Sequence, residues 1–251
     1  MSDSRIPVVC YGLGPIGRAA ARLALSRSRL RVVGAVDRAP DLVGRDLALV
    51  AGLQTPCGVT ISEDADHLFS TKRADVVIHA TGSRFADVYD QISAAAGCGV
   101  HVVSSCEELL FPWYSHPELA DELAALARSS GATVLGTGVN PGFVLDTLPL
   151  CLSGVCREIR RIEATRVVDA GTRREPLVRK VGAGLDVAEF RRLQHEGRIG
   201  HVGLVESLAL IAEATGLGKE SGALEIQESL DPVLAEKRIH AAGVTIEPGR
   251  V

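Results

Sequence analysis

Aromatic side chains are scarce in this sequence, with one Trp, three Tyr and five Phe among 251 residues. The core must therefore be largely aliphatic, and each aromatic carries extra weight as a packing or binding residue. No apolar run approaches the ~20 residues that span a bilayer, and the start, MSDSRIPVVCYG, lacks the basic and apolar regions of a signal peptide. The 27 basic residues are scattered without a stripe and are outnumbered by 31 acids, which argues against nucleic acid or an anionic membrane as partner. Six cysteines (Cys10, Cys57, Cys98, Cys106, Cys151, Cys156) form no C-x-x-C pair and show no metal spacing with His. No metal site is expected, and the chain reads as reduced and cytoplasmic. Cys10 and Cys98 lie in apolar or small-residue runs that suit buried thiols.

What is present is a patterned first half. Strand-like runs (IPVVCYG, LRVVGAVD, ADVVIHATG, VHVVSS, ATVLGTG) alternate with helix-period segments (PIGRAAARLALSRS, RFADVYDQISAAAG, HPELADELAALARSSG). Such alternation predicts right-handed βαβ units and a parallel, doubly wound sheet. Between the first strand and helix lies Gly12-Leu13-Gly14-Pro15-Ile16-Gly17, a G-x-G-x-x-G. Gly12 suits a tight turn, Gly14 close approach of the backbone to a pyrophosphate, and Gly17 close helix–strand packing, with the helix N-terminus facing the phosphates. Asp37 falls 20 residues after Gly17, where a carboxylate accepts from the adenosine ribose hydroxyls. This favours NAD, while the adjacent Arg38 leaves a 2′-phosphate, and hence NADP, open. The C-terminal ends of the later strands carry Thr81-Gly82-Ser83 and Ser105-Cys106, at the edge where ligands bind in such a sheet.

Past Asn140-Pro141-Gly142, a strong turn signal, the pattern changes. VLDTLPLCLSGVC reads as a helix broken at Pro149. REIRRIEATRVVDA reads as a strand with Ile162, Ala164, Arg166 and Val168 on one face. DVAEFRRLQHEG and HVGLVESLALIAEATG read as helices, and GALEIQESL and GVTIEP as strands. The expected organisation is a Rossmann-type dinucleotide-binding domain over 1–140 and an α+β substrate and dimerisation domain over 141–251.

One further stretch stands out. In VVSSCEELLFPW, Glu107 and Glu108 leave the sheet at its ligand edge and run directly into Leu109, Leu110, Phe111, Pro112 and Trp113. Acids beside an apolar wall, at the nicotinamide end of a dinucleotide fold, suit charge stabilisation and proton transfer. Acids in a first helical turn also favour the helix dipole, which is the competing structural role.

YGLGPIG, VDRAPDLVGRDL, VVSSCEELLFPW, GTGVNPGFVLDTLPL, RIEATRVVDA, KVGAGLDVAEF and GHVGLVESLAL, in that order, resemble the dihydrodipicolinate-reductase-like group that includes 2,4-diaminopentanoate dehydrogenases and native amine dehydrogenases. The resemblance implies NAD(P)-dependent reductive amination of a small aldehyde or ketone with ammonia, reversible as oxidative deamination. It implies Glu108 as the carboxylate facing the cationic iminium, with Glu107 in reserve. It raises Arg166 and His201 as pocket residues, Asn140 as orienting the substrate or the nicotinamide carboxamide, and Trp113 as part of the apolar wall. A homodimer is expected through the second half. Family members often carry Asn where Val168 stands, which shifts expectation toward a simple aliphatic carbonyl or amine. They also continue beyond a segment like VTIEPGRV, so these 251 residues are expected to lack the elements that complete the pocket. Two other readings stand beside this one. An imine reductase of dihydrodipicolinate-reductase type is opposed by the absence of a His-His-x-x-x-Lys arrangement. The other is a non-catalytic NAD(P)-binding regulator.

Overall fold

The computed structural model describes residues 4–71, 74–172, 175–218, 224–241 and 243–251. Its first half runs β1 (Ile6–Tyr11), α1 (Pro15–Ser26), β2 (Leu30–Val36), α2 (Leu47–Val50), β3 (Ile61–Ser62), α3 (Ala65–Ser70), β4 (Val76–His79), α4 (Phe85–Gly97), β5 (His101–Ser104), α5 (Pro117–Ser130) and β6 (Val134–Gly136). The six strands form one parallel sheet in the order β3-β2-β1-β4-β5-β6. This is a Rossmann-type doubly wound sheet, in which the order of strand addition reverses between β1 and β4.

Side-chain alternation along β1 shows how both faces are filled. Val9 and Tyr11 enter a cluster with Phe69 of α3 and Phe85, Val88 and Ile92 of α4. Cys10 points the other way, into a cluster with Ala21 of α1, Ala35, Leu47, Val50 and Ile61. The buried stripe of α1 is Gly17, Ala21 and Ala24, small residues that bring the helix close to the sheet. On that face Val76, Ile78 and Val103 border an open apolar groove of about 430 Å³.

The second half contains α6 (Thr147–Ser153), α7 (Glu175–Lys180), α8 (Val187–His195), α9 (Leu204–Thr215) and an antiparallel hairpin of β7 (Ile239–Ala241) and β8 (Val244–Ile246). Phe190 of α8, Val178 of α7 and Val244 of β8 are buried. Val251 is tied down by two backbone bonds, accepting from Gly184 at 2.7 Å and donating to Leu185 at 2.9 Å.

Two expected strands are absent. Residues 157–169 and 224–230 form no strand among the described residues; Gly222 and Ala223, which opened the second expected strand, lie outside them. A strand exists only where a partner completes its hydrogen-bond ladder, and alternation alone does not supply one. Ile162 and Ala164 instead line an apolar groove of about 480 Å³ with Leu204, Leu208 and Ile211 of α9. Pro149 does not break its helix. It is the third residue of α6, within the first turn, where a missing N–H costs no intrahelical bond.

Candidate functional site

The nucleotide end of the sheet is built on the glycine loop. Gly12 has φ +88°, and a Cβ there would stand 2.6 Å from the Ala80 carbonyl oxygen at the end of β4. A Cβ on Gly17 would stand 1.7 Å from the Gly12 carbonyl oxygen. Gly14 by contrast faces open space, with nothing within 4 Å of a Cβ built on it. Pro15 opens α1 and Ile16 is exposed above it, so the first-turn N–H groups border that space. The cradle for a pyrophosphate is thus open at the position the motif requires.

Leu13 is fully buried, and its N–H donates to Asp37 Oδ2 at 2.6 Å, while the N–H of Ala39 donates to Asp37 Oδ1 at 2.8 Å. The acid at the end of β2 is therefore pinned to the glycine loop itself. Arg38 is exposed and lies beside the phenol of Tyr11, whose pKa burial pushes up and Arg38 draws back down. Arg38, Tyr11, Asp64, Asp66 and Gln91 share the wall of a cavity of about 310 Å³.

Past β4, Thr81 is held by a buried cluster that the sequence did not single out. His79, 1% exposed, places Nδ1 2.8 Å from Ser104 Oγ and Nε2 2.7 Å from Thr81 Oγ1 and 3.0 Å from Gln91 Oε1. Thr81 also donates to Gln91 Oε1 at 2.7 Å, and the Cys106 N–H donates to Ser104 Oγ at 3.1 Å. These bonds run in one direction when Ser104 donates to Nδ1 and the Nε2–H points to Thr81 and Gln91. Burial lowers the pKa of His79, with Gln91 partly opposing, and the ring stays neutral. Gly82 and Ser83 follow, and the Ser83 carbonyl accepts the N–H of Glu108 at 3.2 Å and the thiol of Cys106 at 3.3 Å. Cys106 is buried and its pKa is pushed up by burial to about 12, so its side chain belongs to the core; Ser105 is half-buried beside it.

Glu107 and Glu108 do not sit at the end of a strand with alternating directions. Glu107 has helical backbone angles and Glu108–Leu110 is a 3₁₀ turn. Leu109 anchors that turn in the core. The Glu108 side chain, 13% exposed, accepts the N–H of Phe85 through Oε2 at 2.7 Å, and His116 Nε2 lies 3.2 Å from the same oxygen. Glu108 lines a cavity of about 480 Å³ together with Arg84, Ser115, Lys180, His201 and Glu206. Glu107 is not in its wall; the Glu107 backbone and Cβ pack under Gly203. That glycine has φ +90°, and a Cβ on it would fall 2.5 Å from Pro141 and 2.8 Å from Glu107 Cβ. Only glycine there lets the start of α9 close against both loops.

Asn140 joins the cavity wall through His201, whose Nε2 is 3.0 Å from the Asn140 carbonyl oxygen and 3.1 Å from Nδ2. Asn140 Oδ1 is buried with no partner. If the imidazole N–H serves the backbone carbonyl, the amide is better turned so that Oδ1 also meets it, which leaves an NH₂ donor as the orphan. Either way one amide atom is left without a partner among the described residues. Behind this loop, fully buried Asp146 accepts from Gly142 N–H at 2.8 Å, Thr147 N–H at 2.5 Å and Ser207 Oγ at 2.9 Å, joining the Asn-Pro-Gly turn to α9.

Three expected pocket residues are not brought to this cavity. Trp113 is 45% exposed, packs on Phe111 and donates its Nε1–H to Asp121 at 3.0 Å. Arg166 and Val168 are exposed on the segment that forms no strand. Glu206, Ser115, Lys180 and His79 were missed. A lone polar residue within an apolar run or a loop carries no signal of what faces it across the fold.

Comparison with known proteins matches this architecture in two blocks. Residues 6–106 match the family described as dihydrodipicolinate reductase, N-terminus, and residues 143–251 match the 2,4-diaminopentanoate dehydrogenase C-terminal domain. The chain is 32% identical over 236 residues to 2,4-diaminopentanoate dehydrogenase of Acetoanaerobium sticklandii, covering 92% of this chain and 65% of that protein. It is 31% identical over 176 residues to amine dehydrogenase of Streptomyces virginiae, covering 68% of this chain and 48% of that protein. It thus spans less than two thirds of the length of either relative. The solved structure of amine dehydrogenase from Mycobacterium smegmatis superposes with a TM-score of 0.78 at 29% identity, over 98% of this chain and 72% of that one. Both blocks are matched in order and the fold agrees over nearly the whole chain: residues 6–106 belong to the dihydrodipicolinate reductase N-terminal family and residues 143–251 to the 2,4-diaminopentanoate dehydrogenase C-terminal domain family.

Proposed function

We propose that this protein is an NAD(P)-dependent amine dehydrogenase that aminates a small aldehyde or ketone with ammonia and deaminates the amine in reverse. The observation that carries the reading is Glu108, a fixed carboxylate in the wall of a cavity at the same sheet edge as the open glycine loop. In this reading residues 1–140 serve the nucleotide and residues 141–251 the substrate.

A bound nicotinamide dinucleotide supplies or accepts the hydride. Gly14 and the first turn of α1 receive the pyrophosphate, and Asp37, held by Leu13 and Ala39, presents its oxygens to the ribose hydroxyls. Asp37 favours NAD, because a 2′-phosphate would meet its charge. The orphaned amide atom of Asn140 suits the nicotinamide carboxamide or the substrate. Two donors hold Glu108 Oε2, and Oε1 has no protein partner among the described residues. That free oxygen takes a proton from the attacking nitrogen, returns it to the hydroxyl that leaves as water, and, charged again, faces the positive iminium as a preorganised counter-charge. Leu109 and Phe85, both buried, keep the carboxylate in place and limit water on its inner side.

The test is ammonia-dependent oxidation of NADH and NADPH with a panel of aliphatic aldehydes and ketones. The expected result is turnover that requires both ammonia and carbonyl. Turnover of a preformed cyclic imine without ammonia would instead favour the imine-reductase reading. Tight nucleotide binding with no turnover would favour a regulator.

A further inference from the structure

Glu206 is a second carboxylate in the cavity, and the reaction drawn above does not use it. It lies in the first turn of α9, is 3% exposed, and shares the cavity wall with Glu108. Two consecutive residues hold the two acids: Ser115 donates its hydroxyl to Glu206 Oε1, and His116 meets Glu108 Oε2. The other Glu206 oxygen has no partner among the described residues, yet it is not among the sealed, orphaned atoms, so it opens on the cavity. No Lys, Arg or His of the described residues pairs with it. Arg198 is taken by Glu196, Arg84 donates to the Gly197 carbonyl, and Lys180 faces the cavity without an acidic partner among the described residues.

A carboxylate removed from water needs compensation. The α9 N-terminus and one neutral hydroxyl provide part of it. The remaining lack is that of a cation with hydrogen-bond donors. Ser115 is set for the same ligand: with its proton committed to Glu206, its oxygen presents lone pairs only. A free carboxylate oxygen beside an acceptor-only hydroxyl matches an ammonium group, which offers several N–H donors and one charge.

We propose that Glu206 and Ser115 form a primary-ammonium subsite in the cavity, separate from the reacting position at Glu108. The proposal rests on the amine-dehydrogenase reading for the identity of the cavity. The ammonium is either the free ammonium cosubstrate or a second amino group on the organic substrate.

The test is calorimetric titration of the full chain, saturated with nucleotide and at constant ionic strength, with ammonium chloride, propylamine and 1,3-diaminopropane. Tetramethylammonium chloride, which has no N–H, is the control. In the wild type at least one N–H probe should bind while the control does not. Glu206→Gln should weaken that probe about tenfold or more, the loss expected of a charge-assisted hydrogen bond, and Ser115→Ala several-fold. Loss of ammonium binding identifies the cosubstrate as the occupant; loss confined to the diamine's advantage over propylamine identifies a second amino group. Unchanged affinities in Glu206→Gln, with a lower melting temperature, would overturn the proposal and leave Glu206 as a helix-terminus acid. If that variant does not fold, unchanged affinity in Ser115→Ala overturns it equally. A wild type that binds no N–H probe also overturns it. Probe binding that depends on Glu206, in a wild type without ammonia-dependent turnover, would sink the dehydrogenase reading and leave the subsite standing.

Discussion

The carboxylate of Glu108 accepts the backbone N–H of Phe85 at 2.7 Å, so the acid in the cavity wall also caps the N-terminus of α4. Arg84, the residue at the cap position, makes no side-chain bond to the helix end. The proposed catalytic role and the structural one are therefore compatible, since Oε2 serves the helix and Oε1 keeps no partner among the described residues. Glu108→Gln retains an oxygen for Phe85 and loses the charge. Its kcat should fall by about 10²–10⁴ while its melting temperature stays near that of the wild type. Glu108→Ala should show the same loss of turnover and an additional destabilisation of about 1 kcal/mol, the usual cost of a lost cap. Glu107→Gln should leave turnover nearly intact. Steady-state kinetics and thermal melts on the three variants separate these outcomes, and normal turnover in Glu108→Gln would reduce that residue to a cap.

The parts of the molecule legible in the sequence were those governed by short-range rules. The Gly12–Gly17 loop, Asp37 and the five longer strands of the first half declare themselves through spacing and alternation. The two-residue β3 and four-residue α2 are too short to show any period. The segment 157–169 has the alternation of a strand but no ladder partner among the described residues, and no local pattern reports a missing neighbour. The same limit hides the site. Ser115 and Glu206 are 91 residues apart, and His79 and Ser104 are 25 apart, so their pairing exists only after the fold brings them together.

Asp37 is expected to do more than read a ribose. Because Leu13 donates to Oδ2 at 2.6 Å, the carboxylate also fixes the shape of the glycine loop. Asp37→Ala should weaken NAD binding by about tenfold or more, as loss of charge-assisted hydrogen bonds predicts. NADP should be weakened less, because the lost loop anchor is partly offset by relief of repulsion with the 2′-phosphate. Arg38→Ala should leave NAD affinity unchanged and reduce NADP affinity alone if Arg38 meets that phosphate. Fluorescence titration of each variant with both nucleotides measures this; unaltered NAD affinity in Asp37→Ala removes the residue from the site.

Acid stability should depend on Asp46. Burial alone would raise its pKa, but the N–H groups of Cys57, Gly58, Leu49 and Ala48 all donate to it and together lower it. A carboxylate whose folded pKa lies below its unfolded value of about 3.9 stabilises the native state above that value. The contribution is lost as pH falls through the folded pKa. Asp46→Asn should therefore melt lower than the wild type at neutral pH, and the gap should narrow steadily below about pH 4. Melting curves across that range decide it, and a gap independent of pH would mean that shape rather than charge holds the loop.

His79 should act on the nucleotide through Thr81. The neutral ring links Ser104 on β5 to the Thr81–Gln91 pair, and its Nε2–H sets which way the Thr81 hydroxyl points at the ligand edge of the sheet. Burial lowers its pKa, so the folded protein resists protonation that the unfolded chain accepts below about pH 6.5. The unfolded state then binds more protons in that window, and native stability declines as pH falls through it. His79→Phe keeps the ring volume and its edge contact with Tyr11, whose centroid lies 5.5 Å away, but leaves Ser104 and Thr81 without their shared partner. The variant should be less stable at neutral pH and should lack the decline near pH 6. Its affinity for NAD should fall several-fold while ammonia and carbonyl KM values change little, because the cavity around Glu108 lies beyond Ser83. His79→Gln, which can still donate to Thr81, should restore part of the nucleotide affinity. Loss of stability in His79→Phe without any change in nucleotide affinity would show that the network serves the core alone.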